Sequence, residues 1–221
     1  MCNIEDVQTL QRGMNFRLNP THSVILMSQR KNAPYNDSIL DDNLTIIYEG
    51  HDAPKTEGLK NPKSLDQPAF TKTGKPTENG KFVAAVEKYR KGGTPEPVRV
   101  YEKLLSGVWS YRGTFDLIDY DFISDGQRKV YRFALKLTDR QVTSGEPASL
   151  VEPLERTRII PTEVKKLVWK RDKGRCVICG STENLHFDHD IPFSRGGSSI
   201  TVDNVRILCA KHNLQKHDKI E

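Results

Sequence analysis

CVICGSTENLHFDHDIPFSRGGSSITVDNVRILCAKH, residues 176–212, contains two short chelating motifs, Cys176-x2-Cys179 and Cys209-x2-His212, with 29 residues between them. An x2 spacing lets both side chains of a knuckle reach one ion, and zinc takes four such ligands at tetrahedral angles. The set Cys176, Cys179, Cys209 and His212 uses every cysteine of the chain except Cys2. Buried structural thiols would not explain two knuckles of matched spacing. Four protein ligands close the coordination sphere, so a Zn2+ held here is expected to be structural. Asp188 and His189, adjacent in the middle of the stretch, are left outside that set.

The flanking residues predict the frame that carries them. Pro161-Thr162-Glu163 opens a helix, TEVKKLVWKRD, with Val164, Leu167 and Val168 on one face. LHFDH (185–189) reads as a short strand whose Leu185 and Phe187 alternate into a core. A loop with Pro192 and Gly196-Gly197 follows, then SITVDNVRIL (199–208) as a second strand. A short helix starting near Cys209 carries Asn213, Lys216 and His217. The module is strand, loop, strand, helix, with zinc stapling its ends.

RDKGRCVICGSTENLHFDHDIPFSRGGSSITVDNVRILCAKHNLQKHDK (171–219) resembles the HNH endonucleases, which have the ββα-metal fold. The resemblance is carried by Asp188-His189, Arg195-Gly-Gly, Asp203-Asn204 before a hydrophobic residue, and Cys209-x-x-His-Asn-x-x-Lys216. It implies that Asp188 binds a divalent catalytic metal and that His189 is the general base that activates water. It further implies that Asn204 braces the loop and orients the histidine, and that Asn213 is the second metal ligand. The chemistry is coherent without the family: phosphodiester hydrolysis needs a base poised near neutral pH and a hard cation on oxygen ligands. Asp188 and Asn213 are oxygen donors suited to Mg2+ or Mn2+, unlike the sulfur-rich zinc set. Arg195, Lys211 and Lys216, with Lys170 and Arg171, are candidate DNA phosphate contacts, each equally readable as a solvated charge. His186 and His217 read as phosphate contacts or solvated side chains, and Asp190 as a supporting or surface acid. The plainer alternative is a DNA-binding zinc ribbon with Asp188 and His189 in a surface turn.

Composition bounds the rest. The chain has 221 residues, 29% of them charged, and a net charge of +5. Residues 157–221 hold 12 Lys and Arg against 8 Asp and Glu, leaving 22 against 21 for residues 1–156, so the positive excess lies in the last third. The sequence has no run of 18 apolar residues and no apolar leader in MCNIEDVQTLQRGM, so neither a membrane span nor a signal peptide is expected. A reducing, cytoplasmic location is expected, in a prokaryotic cell whose nucleoid holds the substrate, and there metal rather than disulfide is the use of clustered cysteines.

The strongest strand patterns lie earlier: SVILMSQ (23–29), LTIIYEG (44–50), PVRVYEKLL (97–105), VWSYRGTFDLIDYDFI (108–123) and KVYRFALKL (129–137). NGKFVAAVEKYRKGG predicts a helix with Phe82, Val83, Val86 and Tyr89 on its apolar face, closed by Gly92-Gly93. Residues 51–79 form a long polar loop, a length that in a compact domain is usually functional or disordered. Residues 1–138 read as a mostly antiparallel, barrel-like β domain with one or two helices. Residues 139–156 read as a linker, and 157–221 as the nuclease module.

The order APYNDSILDDNLTIIYEGHD, PVRVYE, WSYRGTFDLIDYDF and YRFALKL resembles the SRA (SET- and RING-associated) domain, a PUA-like β-barrel that reads modified cytosine by flipping it out of the duplex. The resemblance implies that Tyr35 and Tyr48 stack on the flipped base and that Asp37 accepts from the cytosine amino group. A flipped base wants aromatic faces and an acceptor on its Watson–Crick edge. Glu49 departs from the family pattern, standing where a small hydroxyl residue lies beside the 5-substituent. Alternatively, Tyr35 and Tyr48 are ordinary strand aromatics and Asp37 a turn former.

The chain therefore reads as α+β: an N-terminal PUA/SRA-like β-barrel with flanking helices, then a zinc-stapled ββα-metal HNH module. The expected function is a type IV, modification-dependent endonuclease acting on double-stranded DNA that carries 5-methyl- or 5-hydroxymethylcytosine. Since one HNH site cuts one strand, a homodimer is expected. The alternatives are an HNH nicking or homing-type nuclease indifferent to modification, and a non-catalytic zinc-containing reader.

Overall fold

The computed structural model describes residues 5, 7–54, 61–138, 159–192 and 196–216. The chain divides into two compact units, Met1–Val151 and Glu152–Glu221. The proposed linker, residues 139–156, lies outside the described residues.

The N-terminal unit is built on one seven-stranded sheet. Its strands are β1 (Met14–Asn19), β2 (His22–Met27), β3 (Ser38–Ile39), β4 (Thr45–Glu49), β5 (Glu96–Leu105), β6 (Val108–Ser124) and β7 (Lys129–Leu137). They lie in the order β1-β2-β5-β6-β7-β4-β3, with β2 and β5 parallel and every other neighbouring pair antiparallel. Among the described residues the expected barrel is not closed: β1 pairs only with β2, and β3, two residues long, pairs only with β4. A two-residue strand offers too little ladder to join the two ends of the sheet.

The aromatic and β-branched runs that mark the strands also make the core. Val24, Ile25, Ile46, Val98, Val100, Phe115, Leu117, Phe133 and Leu135 are fully buried. Helix α1 (Glu78–Arg90) packs on this sheet. The Thr77 hydroxyl accepts from Gly80 N at its start, and Phe82 and Val86, one turn apart, bury completely. Each buried side chain of this size contributes about 1.5–3 kcal/mol. The Phe82 ring meets Phe133 edge-on at 5.6 Å, which fixes the helix against β7. Tyr89, expected on the same apolar face, is exposed, and Val83 is half-buried.

The C-terminal unit contains α2 (Thr162–Arg171), a hairpin of β8 (Leu185–His189) and β9 (Val205–Cys209), and α3 (Ala210–Lys216). Val164 and Val168 of α2 pack with Ile160, Val205 and Ile207, and Trp169, Leu185 and Phe187 close around them. Leu167 lies off that stripe and is 53% exposed, so the face is narrower than expected. The second strand is also shorter than expected. Residues 198–204 form a loop ending in a 3-10 turn, Val202–Asn204, because the Asn204 side chain bonds across the loop rather than into a ladder.

Candidate functional site

The C-terminal module builds two adjoining groups of side chains. Cys176 and Cys179 come from the turn after α2, while Cys209 ends β9 and His212 sits in the first turn of α3. Their ligand atoms all lie within 4.8 Å of one another. Cys179 Sγ is 3.8 Å from Cys209 Sγ, and His212 Nδ1 is 3.4 Å from Cys176 Sγ and 3.3 Å from Cys209 Sγ. Zn–S bonds of about 2.3 Å and Zn–N bonds of about 2.0–2.1 Å at tetrahedral angles put two sulfurs about 3.8 Å apart and a sulfur and nitrogen about 3.5 Å apart. These three distances match the edges of a zinc tetrahedron. Burial raises the Cys176 thiol, but the backbone N–H groups of Cys209, Cys179 and Ile178 outweigh it and bring the pKa down to about 6. Cys176 thus presents a thiolate, the form zinc binds. At Cys179 the Ser181 N–H lowers the thiol pKa, but burial and the neighbouring Cys176 and Cys209 sulfurs outweigh it and raise the value.

Asp188 and His189 end β8, opposite Arg206 and Val205 of β9. His189 Nε2 is hydrogen-bonded to Ser199 Oγ at 2.9 Å. Asn204 closes the intervening loop: its Oδ1 accepts from Ile191 N at 2.8 Å, its Nδ2 donates to Ser198 O at 2.9 Å and Ile191 O at 3.2 Å, and its carbonyl accepts from Asp190 N at 2.7 Å. Asn204 thus holds both ends of the segment between the histidine and its serine partner. Gly197 lies at the crossing, where an added Cβ would overlap the Ile191 carbonyl and come within 2.9 Å of Asn204 Nδ2.

Lys216, read from sequence as a phosphate contact, is placed elsewhere. It is 2% exposed, and its ammonium lies 2.5 Å from Asp188 Oδ2 and donates to the His189 carbonyl. Asn213 is half-buried three residues earlier on α3, a helix that packs on β8. Residues three apart share a helix face, so Asn213 lies on the side from which Lys216 reaches Asp188. The Asp188 carboxylate engages Lys216 through one oxygen and its side chain is 26% exposed, a donor set that fits a hard divalent cation. Arg171 is likewise structural, donating to Val202 O, Val205 O and the Asp172 carboxylate. Asp190 Oδ1 is within 3.1 Å of Arg206 Nε but out of line for a hydrogen bond. Lys170, His186 and Lys211 are exposed, while Arg195 and His217 lie outside the described residues.

The N-terminal unit holds a cavity of about 460 Å³ between the 30–36 loop and the turn joining β6 to β7. Five cations line it, Arg30, Lys31, Lys63, Arg128 and Arg132, against two acids, Glu49 and Asp125. Of the four residues read as a base pocket, Tyr35 and Glu49 line it and Asp37 and Tyr48 do not. Tyr48 is 1% exposed, faces Phe133 across the ladder and bonds through its hydroxyl to His51 Nε2 at 3.1 Å. Its ring is core and has no face open for stacking. Both Asp37 oxygens receive backbone N–H groups, from Ser28 at 3.0 Å and Glu49 at 3.1 Å. Burial lifts the Asp37 pKa to about 6 despite those bonds.

Glu49, unlike Asp37, lines the cavity. Its Oε2 accepts from Asn36 N at 2.9 Å, tying β4 to the loop that carries Tyr35. Arg128, 5% exposed, stands behind it with Nη2 at 2.5 Å from Asp52 Oδ1 and 3.8 Å from Glu49 Oε1. The Tyr35 ring stacks on the His51 imidazole (5.6 Å, 18°), and the Lys63 ammonium lies 5.4 Å from its centroid. Asn79 bonds both the N–H and the carbonyl of His51, and burial lowers the His51 pKa, so a neutral ring backs Tyr35.

With this geometry in place, the family model of the HNH endonuclease matches residues 176–219, the segment spanning the Cys3His cluster, Asp188-His189 and Asn213. The chain carries an HNH endonuclease domain. No curated protein matches the chain. Solved structures similar to it include the SUVH5 SRA domain with hemi-methylated CG DNA (21% identity over 63% of this chain and 83% of that chain, TM-score 0.42). Others are the SUVH5 SRA domain bound to fully hydroxymethylated CG DNA (20%, 63% and 83%, 0.43) and Arabidopsis thaliana SUVH6 in complex with SAM (18%, 83% and 28%, 0.39).

Within the HNH domain, sequence reasoning missed Ser199 and the burial of Lys216. The serine sits ten residues from its histidine, inside a segment that resembles a strand, and only the loop closure by Asn204 brings them together. In the N-terminal unit it missed His51 and Arg128, whose neighbours come from distant parts of the chain.

Proposed function

We propose that the chain is a modification-dependent DNA endonuclease of the type IV restriction kind. The recognition domain, residues 1–138, flips a modified cytosine into the cavity lined by Tyr35 and Glu49, and the HNH domain hydrolyses a nearby phosphodiester bond. The observation that carries this reading is the pairing, in one chain, of a braced Asp188-His189 site with a cation-lined cavity that offers one aromatic face and one carboxylate.

His189 takes the proton of the attacking water, with its ring orientation held by Ser199 and its backbone by the Asn204-closed loop. Asp188 and Asn213 hold Mg2+ or Mn2+, which when bound supplies Lewis-acid polarisation of the scissile phosphate. Zinc at Cys176, Cys179, Cys209 and His212 fixes the start of α3 and so the position of Asn213. The cations around the cavity neutralise phosphates flanking the flipped nucleotide. Each HNH site cuts one strand, so a double-strand break uses two chains, acting as a homodimer on the DNA.

The test is cleavage of modified plasmid by the purified chain in Mg2+ or Mn2+. His189→Ala is expected to lose at least 100-fold in rate while retaining DNA binding. Equal cutting by His189→Ala and wild type would remove His189 from the chemistry.

A further inference from the structure

Glu49 is the acid of the cavity with acceptor capacity to offer. Its Oε2 is bonded to Asn36 N, while Oε1 faces Arg128 Nη2 at 3.8 Å, beyond hydrogen-bond reach. Arg128 is committed to Asp52 and to the carbonyls of Pro62 and Leu65. The other cavity acid, Asp125, has Oδ1 taken by the N–H groups of Gln127 and Arg128 and Oδ2 3.7 Å from Arg128 Nε, but its side chain is 30% exposed and water serves it. Glu49 is 5% exposed overall and lines the cavity. The remaining wall is polar or charged apart from Ala33, Pro34 and the face of Tyr35.

We infer that the cavity takes a cytosine whose 5-substituent donates a hydrogen bond, as hydroxymethyl does, and that Glu49 selects it over 5-methylcytosine. The inference rests on the reading of the cavity as the base site. A hydroxymethyl O–H gives Oε1 a charge-assisted bond, whereas a methyl group set against the same oxygen displaces water and returns nothing. A site built to bond a hydroxyl rejects the analogue that lacks it far more strongly than an apolar pocket rejects an extra hydroxyl. Asp37 supports the arrangement from behind, receiving Glu49 N on one oxygen and Ser28 N on the other.

The experiment measures binding of full-length His189→Ala protein, which does not cut, to labelled duplexes containing one cytosine, 5-methylcytosine or 5-hydroxymethylcytosine. The expected Kd for 5-hydroxymethylcytosine is at least tenfold below that for 5-methylcytosine. Glu49→Leu is expected to bring the two modified duplexes within about threefold of each other. Glu49→Gln, which keeps an acceptor for Asn36 N but loses the charge, is expected to lower the preference at least threefold; it decides the matter if the leucine variant melts early. Equal affinity for both modified duplexes, above that for cytosine, overturns the inference and leaves the base-reading function standing. Equal affinity for all three duplexes overturns both. A wild-type preference unchanged in the glutamine variant, or in a folded leucine variant, removes Glu49 as the selector.

Discussion

The buried Lys216 ammonium bridges Asp188 Oδ2, at 2.5 Å, and the carbonyl of His189, so one side chain from the end of α3 fixes two consecutive residues at the end of β8. This places a resident positive charge on the carboxylate assigned to the catalytic metal. Lys216→Met removes that charge and leaves Asp188 without its partner. Breaking a buried pair from one side costs about 3–5 kcal/mol, and the partial exposure of Asp188 reduces this to about 1–3 kcal/mol. Thermal unfolding of the variant measures that loss. A Mn2+ titration followed by electron paramagnetic resonance should show tighter binding, because the competing cation is gone. Unchanged Mn2+ affinity would mean that Lys216 serves packing alone.

Zinc is expected at one ion per chain. Chelation, or Cys209→Ser, removes a ligand shared between the end of β9 and the start of α3, and should release α3 together with Asn213. Elemental analysis alongside circular dichroism checks this. A folded, metal-free wild-type module would refute the assignment.

The loop between His189 and Ser199 tolerates little change. Gly197→Ala drives a methyl into the Ile191 carbonyl, and Asn204→Ala leaves Ile191 N and Ser198 O without their partner. Each should destabilise the module by about 1–3 kcal/mol and lower the cleavage rate at least tenfold through misplacement of His189. Cleavage kinetics beside thermal melts test this, and wild-type rates in either variant would show that the loop does not position the base.

Asp37 gives the N-terminal unit a particular pH dependence. Its folded pKa is raised to about 6 from 3.8, so between those values the folded state binds more protons than the unfolded state. Stability is therefore gained on acidification through this window and lost as pH rises through about 6, by on the order of 1–2 kcal/mol. Asp37→Asn should flatten that slope in melts recorded from pH 4.5 to 7.5. An identical slope in the variant would place the raised pKa elsewhere.

Much of this was legible in the residues. β2 and β4 to β7 are runs of β-branched and aromatic side chains, and the two chelating motifs name their own ligands. β1 alternates Met14, Phe16 and Leu18 with Asn15, Arg17 and Asn19, a strand pattern that the expectation passed over, whereas β3, two residues long, carries too little pattern to be read. Tyr48 and Glu49 show where local reading stops. Adjacent in one strand, they have different surroundings, and only the pairing of Tyr48 with Phe133 decides which is core and which lines the cavity. Asp37 and Lys216 fail for the same reason: the partners that bury them lie 9 to 28 positions away.

The most direct test of the account uses three matched plasmids, carrying cytosine, 5-methylcytosine or 5-hydroxymethylcytosine, incubated with wild-type protein and Mg2+ or Mn2+. The account predicts cutting of modified plasmid alone, abolished by His189→Ala. Equal cutting of all three plasmids, or binding of modified DNA with no cutting under any divalent metal, would contradict it.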